Sequence, residues 1–393
     1  MADSTKVPAP VYTTEYKPHP TEKMKAAQWT GTKSVKINEV PKPTITAPKD
    51  AIVRITHCCI CGSDLHMYGG EMNMAMQPGD ILGHEAIGYI EEVGPEVQNF
   101  KAGDRAIILP VIACGECFYC QNQQYSLCDT TNPSKAMSDL YGHRLSGIFG
   151  YSHLTGGYSG NQAEFCRVPN ADIVLLHCPE DMPAKKALAL ADVTDTAWHG
   201  VELAEVRGAK KVYAVDKDPQ RLKIAESHGM IPVDASKVKP DEYILSVEPR
   251  GLDRGIEASG FRATNSVTHK LMRATGLEGD STDTISEVIK ATRKGGNVAL
   301  IGDFFFHTNM FPIGMLMEKT ITLRGGQLMA QKYYPYLLDL VKEGKYDPSF
   351  VFTNVDDFEN IPQEFDMQFH QKVPGGLKSI MVTPYGRELN QPL

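Results

Sequence analysis

Short apolar runs dominate the first half of the chain, each cut by proline, glycine or aspartate. Ala51-Ile-Val-Arg-Ile-Thr56, Ala86-Ile-Gly-Tyr-Ile-Glu-Glu-Val93 and Arg105-Ala-Ile-Ile-Leu109 predict short strands. Gly/Ser/Tyr-rich loop fills Tyr141 to Gly160. From about Pro183 the period changes. Helical spacing covers Pro183 to Glu202 and Gln220 to Ser227, and compact apolar strands now alternate with helices. Those strands are Lys211-Val-Tyr-Ala-Val215, Gly255-Ile-Glu-Ala258, Asn297-Val-Ala-Leu-Ile301 and Ile321-Thr-Leu323. Alternation of this kind predicts a parallel, doubly wound sheet. An amphipathic helix at Tyr334 to Lys342 and a strand at Leu377 to Val382 close the chain. The order is that of a β-rich domain interrupted by an α/β insert, with the C-terminus rejoining the first domain.

A length of 393 residues suggests two domains. Apolar residues at 42% and charged residues at 22% allow each an ordinary core. The net charge of −8 argues against nucleic acid or an anionic membrane as the main partner. No apolar run approaches the roughly 18 residues of a membrane span. Met1 to Pro20 is Pro/Thr/Lys-rich without an apolar export segment, so the expectation is a flexible extension over 1–23 and a cytoplasmic protein.

Nine cysteines in such a chain point to thiols committed to metal in a reducing compartment. Cys114-x-x-Cys117-x-x-Cys120-x7-Cys128 puts four thiols on one short lobe, 113–129, with the spacing of a structural, four-sulfur zinc site. A disulfide scaffold is the weaker reading, because such scaffolds belong to short secreted chains. A closed four-thiolate site has no open position, so chemistry must lie elsewhere. Cys61-Gly62-Ser63-Asp64-Leu65-His66 follows a predicted strand, and Gly83-His84-Glu85 opens another. Cysteine, histidine and one oxygen donor with a fourth position open is a catalytic zinc arrangement. The glycines at 62 and 83 free the backbone to bring such side chains together.

Cys61-Gly-Ser-Asp-x-His66, Gly83-His84-Glu85, the four-cysteine lobe and Asp192 together resemble the zinc-dependent medium-chain alcohol dehydrogenases. Ala113-Cys-Gly-Glu-Cys-Phe-Tyr-Cys120, Tyr125 to Pro133 and the Gly147–Gly160 loop are similar to the branch of glutathione-independent formaldehyde dehydrogenases and threonine-dehydrogenase-like proteins. The resemblance covers about Met24 to Pro384. It implies a GroES-like catalytic domain over 24–194, a Rossmann-type cofactor domain over 195–327 and a return to the catalytic domain over 328–393. It also implies two zinc ions per chain, NAD, a small alcohol or aldehyde substrate and a homo-oligomer.

On the same resemblance Cys61, His84 and Asp192 bind the catalytic zinc, and Glu85 stands behind it as an exchangeable ligand. Ser63 and His66 start a proton relay, and Thr196, Asp216 and Arg221 contact the cofactor. Asp195 replaces the proline usual in the branch and is a rival ligand. Met72, Met74 and Met76 form either an apolar lip over the pocket or a mobile loop.

The chain departs from its relatives after Asp192. Val201-Glu-Leu-Ala-Glu-Val206 runs straight into Arg207-Gly-Ala-Lys-Lys-Val-Tyr-Ala-Val-Asp216. The family places a strand, a G-x-G-x-x-G turn and a helix between these segments. That block needs on the order of 20–25 residues, whereas 11 separate Gly200 from Val212, and no two glycines stand two apart anywhere in the chain. The expected cofactor domain is therefore truncated. Its sheet should lack a central strand, unless Lys211 to Val215 shifts inward.

Overall fold

A computed structural model describes residues 14–393 except 265, 276 and 278. The chain forms two compact units, residues up to Asp195 with Leu328–Leu393, and Thr196–Gln327. Among the described residues no helix is long and apolar enough to cross a membrane.

The first unit is built on a seven-stranded sheet. Its path runs Phe352–Asp357, Lys378–Val382, Ala51–Cys59, Ala86–Val93, Arg105–Ile108 and Leu175–His177, and Phe165–Val168 also pairs with Ala51–Cys59. Ala51–Cys59 carries the nearly continuous burial of a strand covered on both faces. Two pairings position the site. Cys58 lies opposite Ala86, which sets His84 and Glu85 beside the end of the neighbouring strand. Ile380 lies opposite Cys59, so the C-terminal strand delivers Lys378 to the same end from the other side.

An antiparallel pair, Pro18–Gly31 with Ser34–Pro43, precedes this sheet. A strand beginning at Pro18 corrects the expected extension over 1–23, whose first 13 residues lie outside the described part. The prolines at 18 and 20 do not prevent it, because the register of this pair breaks between Pro18 and Lys23.

In the second unit the strands are parallel, as alternation with helices predicts, but they do not make one sheet. Among the described residues Tyr213–Asp216 pairs only with Ile231–Asp234, and Leu252–Glu257, Thr292–Leu300 and Thr322–Gly325 form a separate three-stranded sheet. The physical reason is length. Nine residues, 204–212, separate helix Val193–Leu203 from Tyr213, too few for a strand and a returning helix. No inward shift of Tyr213–Asp216 onto Leu252–Glu257 replaces the missing neighbour among the described residues.

Candidate metal centre

Cys61, His84, Glu85 and Asp192 place one ligand atom each within 4.8 Å of the others, as do the four cysteines of the lobe. Every donor of both groups lies in the first unit. Asp195, the rival ligand, belongs to neither group.

Local sequence explains the convergence. Gly83 has φ +96°, and a Cβ there would stand 2.8 Å from the Gln162 backbone nitrogen and closer still to its side chain. Glycine at 83 thus lets Gln162 pass behind the His84 strand. The Gln162 amide donates to an Asp64 carboxylate oxygen at 3.1 Å, and the Cys61 backbone N–H donates to the same oxygen at 2.9 Å. The other Asp64 oxygen faces His84 Nδ1 at 3.4 Å. With the Nδ1 edge of the ring against Asp64, Nε2 faces the donor cluster, as when a carboxylate stands behind a metal-bound imidazole. His84 Nε2 stands 3.6 Å from Asp192 Oδ2, and Cys61 Sγ stands 3.9 Å from the same oxygen.

These separations suit zinc. Bonds of 2.0–2.3 Å in a tetrahedron leave ligand atoms about 3.3–3.6 Å apart, slightly inside the observed spacing. In the lobe Cys114 and Cys120 are 3.8 Å apart and Cys117 and Cys128 3.9 Å. Four sulfurs around one zinc should be separated by about 3.8 Å. Backbone N–H groups of Glu116 and Cys117 donate to Cys114 Sγ, which favours thiolate. Thiol donation from Cys114, Cys117 and Cys120 drives Cys128 well below the ordinary thiol range.

Glu85 is 1% exposed and both carboxylate oxygens are occupied. Lys378 Nζ donates to one at 2.7 Å and the Cys59 thiol to the other at 2.8 Å. Burial opposes the charge, but Lys378 and then His84 outweigh it, holding the Glu85 carboxyl at about 2. The sequence motifs pointed to neither Asp64 nor Lys378 as a supporting residue. Asp64 was visible as a carboxylate three residues after Cys61, whereas Lys378 is 317 residues downstream and is brought in only by strand pairing.

Ser63 Oγ lies 3.3 Å from His84 Nε2, and His66 is buried one turn later on helix Asp64–Gly69. Met72 and Met76 are buried while Met74 is fully exposed, because the short turn Asn73–Ala75 rotates it outward. The three methionines therefore make no continuous lip. Asp216 and Arg221 meet as an ion pair at 3.0 Å, and Thr196 lies half-buried in helix Val193–Leu203.

The model of the alcohol dehydrogenase GroES-like domain matches residues 47–179. A zinc-type alcohol dehydrogenase-like protein of Schizosaccharomyces pombe is 41% identical, with 91% of each chain covered. The chain belongs to the zinc-type alcohol dehydrogenase family.

It is an oxidoreductase of that family, with a GroES-like domain and a Rossmann-like parallel α/β unit. It is also 29% identical to a glutathione-independent formaldehyde dehydrogenase of Pseudomonas aeruginosa, over 69% of this chain and 73% of that one. Among solved structures it resembles the alcohol dehydrogenase TADH from Thermus sp. ATN1, with a TM-score of 0.76, 28% identity and coverage of 92% and 100%. The alignment with the Schizosaccharomyces pombe protein has 387 positions, whereas 91% of 393 residues is about 358. About 29 positions of that alignment are therefore unfilled by this chain.

Proposed function

We propose that this chain carries the metal half of a zinc-dependent dehydrogenase centre for a small alcohol or aldehyde, with NAD as the family's hydride acceptor and with nucleotide binding severely weakened. The single observation that carries the metal half is the convergence of Cys61, His84, Glu85 and Asp192 within 4.8 Å. Two zinc ions per chain are proposed, one held by Cys61, His84 and Asp192 and one by Cys114, Cys117, Cys120 and Cys128.

Zinc held by the first set supplies a Lewis acid toward a substrate oxygen. The chain's own groups do the rest. Asp64 fixes the imidazole of His84, and Lys378 with Cys59 holds the Glu85 carboxylate behind the donors as an exchangeable ligand. Ser63 lies beside His84, and its hydroxyl would take the proton of a bound alcohol while releasing its own toward His66, one turn on.

The nucleotide half does not fit in the same way, and no step is routed through it. The glycine turn that would leave backbone N–H groups facing a pyrophosphate is absent from the sequence. The division of the parallel strands into two sheets supports that reading. So do the roughly 29 unfilled alignment positions, enough for a strand, turn and helix of about 20–25 residues. Asp216 favours NAD over NADP, since a carboxylate there repels a 2′-phosphate. Thr196 and Arg221 complete the proposed contacts. Isothermal titration with NAD tests this: no saturation below millimolar nucleotide is expected, and micromolar affinity would overturn it.

The split sheet also favours a second reading, a zinc-binding form that keeps the β-domain and turns nothing over, assembling with other copies. Alcohol-dependent reduction of NAD by the zinc-loaded chain, abolished by Cys61→Ser, would exclude it.

A further inference from the structure

Strands of parallel sheets are normally buried on both faces and bonded along both edges unless they end the sheet. No residue of Tyr213–Asp216 is fully buried, and the strand ends a sheet of two strands. Its ladder runs to Ile231–Asp234 on one side, in unbroken register from Tyr213↔Ile231 to Asp216↔Asp234, and no strand pairs with its other edge among the described residues. Val212 and Val215 are 44% and 45% exposed. No proline and no bulge lies in this strand to blunt the edge. The corresponding edge of Leu252–Glu257 is only partly covered, with Ile256 37% exposed. Arg254 donates to the Glu205 carbonyl there, and Ile256 lies against helix Val193–Leu203 near Gly200. Among the described residues the outer edges of Ile231–Asp234, Leu252–Glu257 and Thr322–Gly325 also lack a strand partner, but Pro232 interrupts the first.

We propose that this edge is a self-association surface, which a second copy of the chain covers by antiparallel pairing of Tyr213–Asp216 with itself about a two-fold axis. Two-fold symmetry makes such a contact isologous, so the strand must complement its own reversed sequence. The register that places Tyr213 opposite Ala214 does so. It sets Val212 against Val215 and Lys211 against Asp216, each pair occurring twice. Opposed charges and apolar pairs across a strand pair are the favourable combinations. Lys211 reaches Glu248 at 2.6 Å yet keeps 59% of its side chain exposed, and Asp216 keeps 32% beside Arg221. Both remain accessible to a facing strand.

Six paired residues a side, 211–216, bury less than the roughly 1,000 Å² of a stable interface, so a dissociation constant on the order of 100 μM is expected. The inference is independent of the proposed chemistry, because it uses no residue of the metal centre.

The experiment is hydrogen exchange, read by mass spectrometry, on the full zinc-loaded chain from low-micromolar to near-millimolar concentration. Exchange across Tyr213–Asp216 should slow severalfold as concentration rises. Lys211→Glu, which opposes Glu to Asp216, should remove that slowing. The exchanged pair Lys211→Asp with Asp216→Lys should restore it. A rate at this strand that ignores concentration overturns the proposal, including in a chain that is oligomeric through another surface. So does a charge-exchanged variant with unchanged far-UV circular dichroism that fails to recover the slowing.

Discussion

Replacing Lys378 by methionine tests the construction of the metal centre most directly. Lys378 is the cationic partner of a carboxylate that is 1% exposed, and its own side chain is 11% exposed. Methionine keeps the length of the stem and removes the charge. Glu85 would keep the Cys59 thiol as its remaining donor and the weaker attraction of His84, leaving a buried anion without its principal counter-ion. Breaking a buried pair from one side costs about 3–5 kcal/mol, far more than the pair contributes relative to apolar residues. At roughly 2–3 °C per kcal/mol for a unit of this size, the melting midpoint should fall by about 6–15 °C.

The penalty has a defined pH dependence. Glu85 sits at about 2, below its ordinary value of 4.5. In the parent its stabilisation is complete above that ordinary range and is lost as pH falls toward 2. Without Lys378 burial raises the Glu85 carboxyl, so protonation relieves the variant at a higher pH. The gap between parent and variant should therefore narrow from pH 7.5 to pH 5. Urea unfolding followed by the fluorescence of Trp29, which is 5% exposed in the first unit, measures it. Adding Glu85→Gln to Lys378→Met should recover more than half of the loss. A single-variant loss below about 1 kcal/mol, set against the usual 3–5, or a double variant no better than the single, would refute the assigned clamp.

The lobe and the centre should load metal separately. Cys128→Ser should lower zinc from two ions per chain to one by atomic absorption while leaving the Cys61 site filled, and two ions retained would contradict the four-sulfur assignment. Gly83→Ala forces a Cβ to 2.8 Å from the Gln162 nitrogen at φ +96°. It should destabilise the first unit by at least about 2 kcal/mol, from strain at a positive φ together with a displaced buried hydrogen bond. It should also weaken cobalt binding at Cys61 and His84 without altering the lobe; normal stability and loading would show that Gln162 does not position the site.

Local pattern carried much of this architecture. Ala86–Val93 was legible to the residue because it is a short apolar run set between Gly83 and Gly94. The four-cysteine lobe was legible because metal chemistry restricts residue type and spacing more tightly than packing does, whereas Asp192 joined Cys61 and His84 only through the family resemblance. Lys378 was not legible, since no spacing rule links residues 85 and 378 before strands pair. The helical stretch from Pro183 to Glu202 is interrupted after Ala189, and the break falls at the segment that presents Asp192. Periodicity continues through such a break because both helices bury apolar faces, so pattern alone cannot place it. The two-piece sheet was half legible. The missing block could be counted, but whether the remaining strands would close the gap depended on tertiary packing.

The two halves of the site consequently have different sources of stability. Cys61 follows Ala51–Cys59, His84 and Glu85 precede Ala86–Val93, and Lys378 begins the strand paired on the other side of Ala51–Cys59. Asp192 precedes helix Val193–Leu203 and lies on the same side of the unit boundary. Among the described residues no donor comes from 196–327, so the register that assembles the metal centre is indifferent to how the strands of the second unit divide. A nucleotide site has no such insulation, because its phosphates bind backbone N–H groups that only a strand–turn–helix unit presents. Asp216 and Arg221, the proposed polar contacts, already pair with each other. Metal affinity and nucleotide affinity should therefore separate in this chain, and zinc loading by itself is no measure of its capacity for hydride transfer.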